Sequence, residues 1–392
     1  MLCKGDIKET LSPVTLGSMR FPDRESTLET VSACLKAGVS YVDCSPAYCH
    51  SSETENSEAW VGEALAGCRD AMLISTKCSP GNGGLEIGEE FRPHKGFGVR
   101  SAAQLRQVME QSRQRLQVDS FDCYHLWTVH NMTQMTEAYK PGGWMEEARR
   151  AKAAGMFDHL GVTTHADSAT IIEFLKTGDF EMVTLPYHLL DSTREEAVRW
   201  AGEHGIAVLA MNPLAGGLLT GEAEAVTAVF GDMGIASPVE LALSFVLSAP
   251  GMISALCGMT SAAQVEANTA AAAQPRWGDA ERREILRRFK GMGADAGVGV
   301  CTGCGYCMPC PQGLEIPRIL RSHNACYVLR LGERAIKGYR EAAAWGEAYD
   351  ASRCAACGVC EARCPNSLPV SEMMSRLSRL NTGGQAEPVV SP

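Results

Sequence analysis

From residue 14 to about 275 the chain alternates short apolar runs, rich in β-branched residues, with amphipathic stretches, and this rhythm limits the fold more than any other feature. The strand-like runs are VTLGSM at 14–19, YVDC at 41–44, MLIST at 72–76, FDCYHLW at 121–127, HLGVTT at 159–164, MVTLPY at 182–187, AVLAM at 207–211 and ISALCG at 253–258. Helical patterns follow most of them, as in Ser101 to Leu116, Met145 to Ala154, Arg194 to Glu203 and Ala262 to Ala273. Strand, helix and strand in succession read as a parallel crossover unit. Eight such units predict an α/β fold, a (β/α)8 TIM barrel, whose chemistry sits on the loops after the strands' C-terminal ends. Two of those loops are long: the polar CHSSETEN after Tyr48, and the segment from Cys78 to Val99. Long loops in a compact domain are usually functional.

Seventeen cysteines are present, and eight fall in two runs near the C-terminus. The first is Cys301-x2-Cys304-x2-Cys307-x2-Cys310-Pro311 and the second Cys354-x2-Cys357-x2-Cys360-x3-Cys364-Pro365. Bacterial two-cluster ferredoxins wrap one [4Fe-4S] cluster with three cysteines at this spacing, while the fourth, proline-followed cysteine crosses to the other cluster. By that crossover one cluster takes Cys301, Cys304, Cys307 and Cys364, and the other takes Cys354, Cys357, Cys360 and Cys310. Zinc is a weaker reading, because its four-ligand sites usually join two separated C-x2-C pairs. Disulfides are weaker still: they belong to oxidising compartments, and the N-terminal MLCKGDIKET has no apolar signal region. The other nine cysteines are scattered, mostly among apolar residues, as small buried hydrophobes are. These features imply a reduced, cytoplasmic and anaerobic setting.

Helical patterns at Ile316 to Leu331 and Glu333 to Ala348 separate the two runs, so the second domain reads as a ferredoxin-like motif with a helical insertion. Gly291, Gly293, Gly297 and Gly299 suggest a loose linker into it. The expected organisation is a barrel over 1–290, a small α-helical iron–sulfur domain over 291–380 and a disordered tail over 381–392. The net charge of −10, unbroken by any basic run, argues against nucleic-acid binding, which needs clustered Lys and Arg. The uncharged stretch Leu241 to Met259 is interrupted by Pro250 and Gly251. It suits a buried helix and strand better than a membrane span of about 20 unbroken apolar residues.

The segments LGSMRFP (16–22), YVDCSPAY (41–48), NSEAWVGEAL (56–65), ISTK (74–77), LGVTTHA (160–166), PYHLLD (186–191), MNPLAGGLL (211–219) and GMTSAAQVEAN (258–268) resemble, in order, those of aldo-keto reductases. With CTGCGYCMPCPQG (301–313) the chain is similar to the bacterial subgroup that carries a C-terminal iron–sulfur domain. The resemblance implies that Tyr48 is the general acid, with Lys77 beside it and Asp43 behind the lysine. The chemistry requires these types, because hydride addition to a carbonyl makes an alkoxide. A phenol of pKa about 10 protonates it only when a nearby cation lowers that value. On the family frame D-Y-x-D-x-Y-x-L-H, Trp127 stands where histidine is usual. His125 then points the same way, two residues deeper, and is a candidate for a direct catalytic role, as is His130 on the following loop. Cys49 occupies a position commonly held by glycine.

The same resemblance assigns Thr163 and Thr164 to a nicotinamide carboxamide and Tyr187 to stacking on its ring. It gives Asn212 to Leu218, including Leu214, to the pyrophosphate, and Gly258, Thr260, Gln264 and Asn268 to the adenosine end. Thr184 replaces a common Gln, Asn212 a common Lys, and Thr260 an Arg able to grip a 2′-phosphate. Within the NAD(P)H choice these changes favour NADH, with His165 and His188 lining the altered site. A nicotinamide carries two electrons, whereas each [4Fe-4S] cluster passes one. Three readings remain open: a carbonyl reductase acting on a small molecule, cluster-fed reductive or radical chemistry in the barrel, and an electron-transfer subunit with a degenerate barrel. In any of them a ferredoxin or flavoprotein is a suitable electron partner.

Overall fold

The computed structural model describes residues 6–80, 98–99, 101–220, 224–274, 277–295, 299–301, 303, 305–364 and 367–381. Its strands are β1 (Val14–Gly17), β2 (Tyr41–Asp43), β3 (Leu73–Pro80), β4 (Gly98–Val99), β5 (Phe121–Leu126), β6 (Phe157–Thr163), β7 (Met182–Pro186), β8 (Ala207–Met211) and β9 (Met252–Cys257). All but β4 join in the order β2-β1-β9-β8-β7-β6-β5-β3, and β2 pairs with β3 to close the cylinder. Every barrel pairing is parallel. The eight barrel strands coincide with the eight expected runs.

One expected loop differs. β3 continues to Pro80 and pairs there with β4, so the segment after Cys78 starts and ends as strand. Residues 81–97 of that loop lie outside the described residues.

The chain divides into two compact units, one of residues 1–187, 194–213 and 249–274, the other of 188–193, 214–248 and 275–392. In the first unit, Tyr41, Leu73, Cys123, Met182, Ala207, Leu209 and Leu256 fill the lower barrel, and Ile7 and Leu11 from the N-terminal segment pack onto them. Polar side chains start the outer helices. Asp23, Asn56, Ser101 and Ser261 each accept a hydrogen bond from the backbone N–H three residues on, which satisfies a donor that the helix leaves unpaired.

A buried charge network ties two of these helices to β3. Glu58, on the helix Ser57–Ala64, is fully buried; it accepts from Thr76 Oγ1 at 2.5 Å and from Arg115 Nε at 2.7 Å. Arg115, on the helix Ala102–Leu116, also donates to Glu53 at 2.9 Å.

In the second unit the helices Ile316–His323, Gly332–Ala343 and Val370–Asn381 pack on one another. Their shared core includes Ile319, Leu320, Ile336, Met373, Met374 and Leu377. The first continues into a wider turn at Asn324–Val328. The glycine linker is a correction: Gly291 and Gly293 lie inside a helix, Asp279–Asp295. Gly297 is outside the described residues, as is the tail beyond Asn381. The uncharged stretch resolves into the helix Pro238–Leu247 and β9. Among the described residues no single helix is long and apolar enough to cross a membrane.

Removing one partner of a buried ion pair leaves the other charge uncompensated, at a cost of about 3–5 kcal/mol. Glu58→Ala is therefore expected to lower stability by about that amount, read as a reduced urea midpoint, whereas Glu53→Ala, at an exposed carboxylate, is expected to change it by about 1 kcal/mol or less.

Candidate functional site

Asp43 ends β2 opposite Ser75 of β3, and Lys77, two residues further along β3 and so on the same face as Ser75, brings its side chain to the Asp43 carboxylate inside the upper barrel. Both are almost completely buried, and Lys77 Nζ donates to Asp43 Oδ2. Ser75 Oγ approaches Asp43 Oδ1 at 3.4 Å, and Ser18 Oγ donates to the Asp43 carbonyl at 2.9 Å. Burial opposes the Lys77 charge, but Asp43 and Tyr48 outweigh it and hold its pKa above the usual lysine value.

Tyr48, on the loop after β2, sets its ring 4.7 Å from Lys77 Nζ. Burial pushes its phenol up to about 12, and the Lys77 cation acts the other way. Unit charges 4 Å apart interact by about 4 kcal/mol at an effective dielectric of 20, so the lysine offsets much of the desolvation without cancelling it. Beside it Cys49 holds φ +54, a left-handed conformation that favours glycine, and its thiol faces the Phe21 carbonyl at 3.2 Å.

Trp127 follows β5 and meets the Tyr48 ring edge to face, with centroids 5.7 Å apart, while Lys77 Nζ lies 5.9 Å from the indole. The next residue, Thr128, has φ +57, which is an outlier for a β-branched side chain. Its N–H donates to Thr163 Oγ1 at 2.9 Å, and the Trp127 N–H to the Cys78 carbonyl at 3.0 Å. Those bonds hold strained backbone that presents the indole to Tyr48.

His125 differs from the expectation of a catalytic role. It is fully buried beneath this layer, 3.1 Å from the Tyr41 hydroxyl, and burial with the nearby Lys77 charge pushes its pKa down to about 3. A neutral core imidazole is what remains. Its neighbour in register on β6 is Gly161, where a Cβ would stand 2.3 Å from His125 Nδ1. His130 pairs instead with His165 at the strand ends, with ring centroids 5.7 Å apart.

The expected nucleotide-binding residues also lie at or beyond strand ends. Thr163 and Thr164 are buried, the latter accepting from Ala166 N at 3.0 Å. Tyr187 is fully buried and donates its hydroxyl to Glu195 at 2.8 Å, so its ring is covered rather than open for stacking. Asn212 is exposed with φ +59, and Leu214 is half-buried. Gly258 is exposed; Thr260 donates through its N–H to Gln264 Oε1 at 2.8 Å; Asn268 is buried. Sequence reasoning found no cation here, yet Arg20, on the turn after β1, lies with its Cδ 3.6 Å from where a side chain at Gly258 would begin. Proximity in space, with more than two hundred residues between them in the chain, is what concealed it.

In the second unit, Cys310, Cys354, Cys357 and Cys360 line one cavity, closed by Leu314, Ile316, Val370 and Met374. Four thiols on an apolar wall suit a [4Fe-4S] cluster. The cavity brings together three cysteines of the second run and the last of the first. Among the described residues no three His, Cys, Asp or Glu side chains are grouped to hold a single metal ion. Of the other expected ligands, Cys301, Cys307 and Cys364 are half-buried and Cys304 lies outside the described residues. Cys301 is gripped at both ends of its backbone by buried Asn324, which accepts from its N–H at 3.1 Å and donates to its carbonyl at 2.7 Å.

Comparison with known proteins agrees with both halves. The profile of the aldo/keto reductase family matches residues 13–283, and that of a 4Fe-4S dicluster domain matches residues 300–369. The chain belongs to the aldo/keto reductase family. A 4Fe-4S dicluster domain follows that match.

Similar proteins include the NADH-specific methylglyoxal reductase of Escherichia coli, 27% identical over 51% of this chain and 60% of that protein. L-galactose dehydrogenase of Arabidopsis thaliana is 26% identical over 65% of this chain and 81% of its own length. The chain spans 63%, 60% and 55% of three bacterial relatives. A solved aldo-keto reductase of Bacillus halodurans shares the fold, with a TM-score of 0.58 and 24% identity over 71% of this chain and 92% of that one.

The cavity makes the ligand crossover testable. Cys310→Ser is expected to alter the cluster held mainly by the second run and to spare the other, as read by EPR of the reduced protein with iron and sulfide analysis. A change confined to the cluster of the first run refutes the assignment.

Proposed function

We propose that this chain is a nicotinamide-linked carbonyl reductase in which Tyr48 donates the proton, Lys77 tunes it and Asp43 fixes the lysine. The observation that carries this reading is the buried Lys77–Asp43 pair with its ammonium 4.7 Å from the Tyr48 ring. An ammonium so placed keeps its charge through Asp43 and favours the phenolate that forms when Tyr48 gives up its proton. The nicotinamide, when bound, supplies hydride; Asn212, Thr260, Gln264 and Arg20 are the exposed or half-exposed polar groups available to its phosphates and adenosine. NADH is the preferred form on the sequence, and a relative is named for that specificity.

The reading extends to two [4Fe-4S] clusters on the crossover ligand sets, in an iron–sulfur part at 291–380 that follows a reductase part at 1–290. When loaded, such clusters would pass electrons one at a time, and a ferredoxin or flavoprotein in a reduced cytoplasm would be a suitable partner. The substrate is a small carbonyl compound whose oxygen meets an indole N–H at Trp127 in place of an imidazole. An indole donates one hydrogen bond and accepts none, so proton delivery rests on Tyr48.

Tyr48→Phe is expected to lower kcat by a factor of about 10²–10⁴, the usual worth of a general acid, while NADH affinity stays within a few-fold in a fluorescence titration. Lys77→Met removes the cation that lowers the phenol pKa. The phenol then titrates higher still, and the rate is expected to fall across the accessible pH range with no new acid limb. Full turnover in Tyr48→Phe excludes this mechanism.

Trp127→His is expected to raise kcat/KM for a small test aldehyde such as 4-nitrobenzaldehyde, since it restores an imidazole beside Tyr48 and opens the mouth. Steady-state kinetics check this. An unchanged value means that the indole does not limit access.

A further inference from the structure

Between the two cysteine runs the second unit buries a polar side chain completely. Asn324 stands where the helix Ile316–His323 passes into the wider turn Asn324–Val328, and its carbonyl accepts from Leu329 N at 2.9 Å. Such wide turns are frequent at functional sites. This one is itself held in place: Tyr327 donates its hydroxyl to the Arg376 carbonyl at 3.2 Å, and its ring centroid lies 4.8 Å from that of His323.

The Asn324 carboxamide directs both of its ends to one residue. Oδ1 accepts from Cys301 N at 3.1 Å, and Nδ2 donates to the Cys301 carbonyl at 2.7 Å. A buried amide is costly unless it is hydrogen-bonded, and here both bonds serve the first cysteine of the first run. Rotation of the Cys301 backbone breaks one bond or the other, so the pair clamps that residue's conformation. Two residues on, Gly303 has φ +73 and turns its N–H toward Cys301 Sγ at 3.4 Å. Hydrogen bonds to the ligand sulfurs are among the determinants of a cluster's potential, because they stabilise the extra negative charge of the reduced form.

We infer that Asn324 is a positioning residue for the cluster of the first run: by clamping the Cys301 backbone it presents that thiolate to iron and keeps the Gly303 N–H against its sulfur. This rests on the two-cluster reading, in which Cys301 is a ligand. Two effects follow from one clamp. A loosened Cys301 lets its thiolate leave iron more readily, and a lost N–H···S bond makes the reduced cluster less favourable, which lowers its midpoint potential. Asn324 does not line the cavity of Cys310, Cys354, Cys357 and Cys360, so the cluster of the second run is an internal reference for both effects.

The test uses the full-length protein, loaded with iron and sulfide under anaerobic conditions. Three quantities are read: cluster loss to a ferrous chelator, an EPR-monitored redox titration, and hydrogen–deuterium exchange of peptides spanning Cys301. In Asn324→Ala the first-run cluster is expected to be lost about tenfold faster, the usual effect of removing a group that orients a metal ligand. The second-run cluster should stay within about twofold of wild type. At a fixed potential the ratio of reduced to oxidised first-run cluster is expected to fall about tenfold, a midpoint about 59 mV lower for a one-electron couple. Asn324→Asp keeps the acceptor for Cys301 N and removes the donor to its carbonyl, so its rate of loss is expected to lie between the two. If Asn324→Ala fails to assemble its clusters, Asn324→Asp, which has the same shape, carries the test. Wild-type loss rates in both variants overturn the inference, as does equal acceleration for both clusters or a midpoint that does not move in Asn324→Ala. A wild-type chain that takes up only the second-run cluster overturns the two-cluster reading instead. Exchange at Cys301 then decides alone: about tenfold faster in Asn324→Ala supports the clamp, and an unchanged rate overturns it.

Discussion

The upper half of the barrel is organised around a single unfavourable act, the removal of the Lys77 ammonium from water. An ion of that size loses several kcal/mol of hydration even after relaxation, so it persists there only with a counter-charge and a rigid frame. Asp43 supplies the charge, and the pairing of β2 with β3 supplies the frame. Behind that strand, Thr76 is tied to the fully buried Glu58, which Arg115 neutralises. Two buried ion pairs thus lie on opposite faces of the same strand, one facing the reaction and one facing the helices. The outer pair ties β3 to the helices, and the inner one holds a cation beside the Tyr48 ring.

The fold was legible because parallel strands buried on both faces read as nearly continuous apolar runs, and eight of them admit few arrangements. The cysteine runs were legible because cluster ligation requires close spacing that core packing does not. What escaped were features that depend on depth and on distant neighbours. Strand alternation placed His125 on the correct face, but nothing in the spacing showed that Tyr41 and the missing side chain of Gly161 would turn its layer into core. Nothing in the sequence marks Glu58 and Arg115 as buried, since such residues are almost never fully buried unless paired. The glycines at 291 and 293 suggested a linker, yet the residues around them, DAERREILRRFKGMGAD, favour a helix strongly enough to absorb the cost of about 1 kcal/mol for each glycine.

Trp127 shows how a departure from a family pattern is accommodated. An indole in place of an imidazole cannot relay a proton, and its bulk must be carried by the backbone that follows it. That burden falls on Thr128, whose left-handed φ is held by a bond to Thr163. A residue expected to meet the nicotinamide carboxamide is thereby committed to supporting the altered wall, so the changes at the substrate end and at the cofactor end are mechanically one change.

The grip of Asn324 on Cys301 bears on how the iron–sulfur part is to be viewed as a module. Its side chain closes both hydrogen bonds of the Cys301 backbone, yet it lies in the segment between the two cysteine runs. The insertion is thus part of the cluster's cradle. A shortened version that joined the two runs directly would keep every sulfur ligand and lose the brace that orients the first of them, so the minimal portable unit is the whole stretch from Cys301 to the final helix.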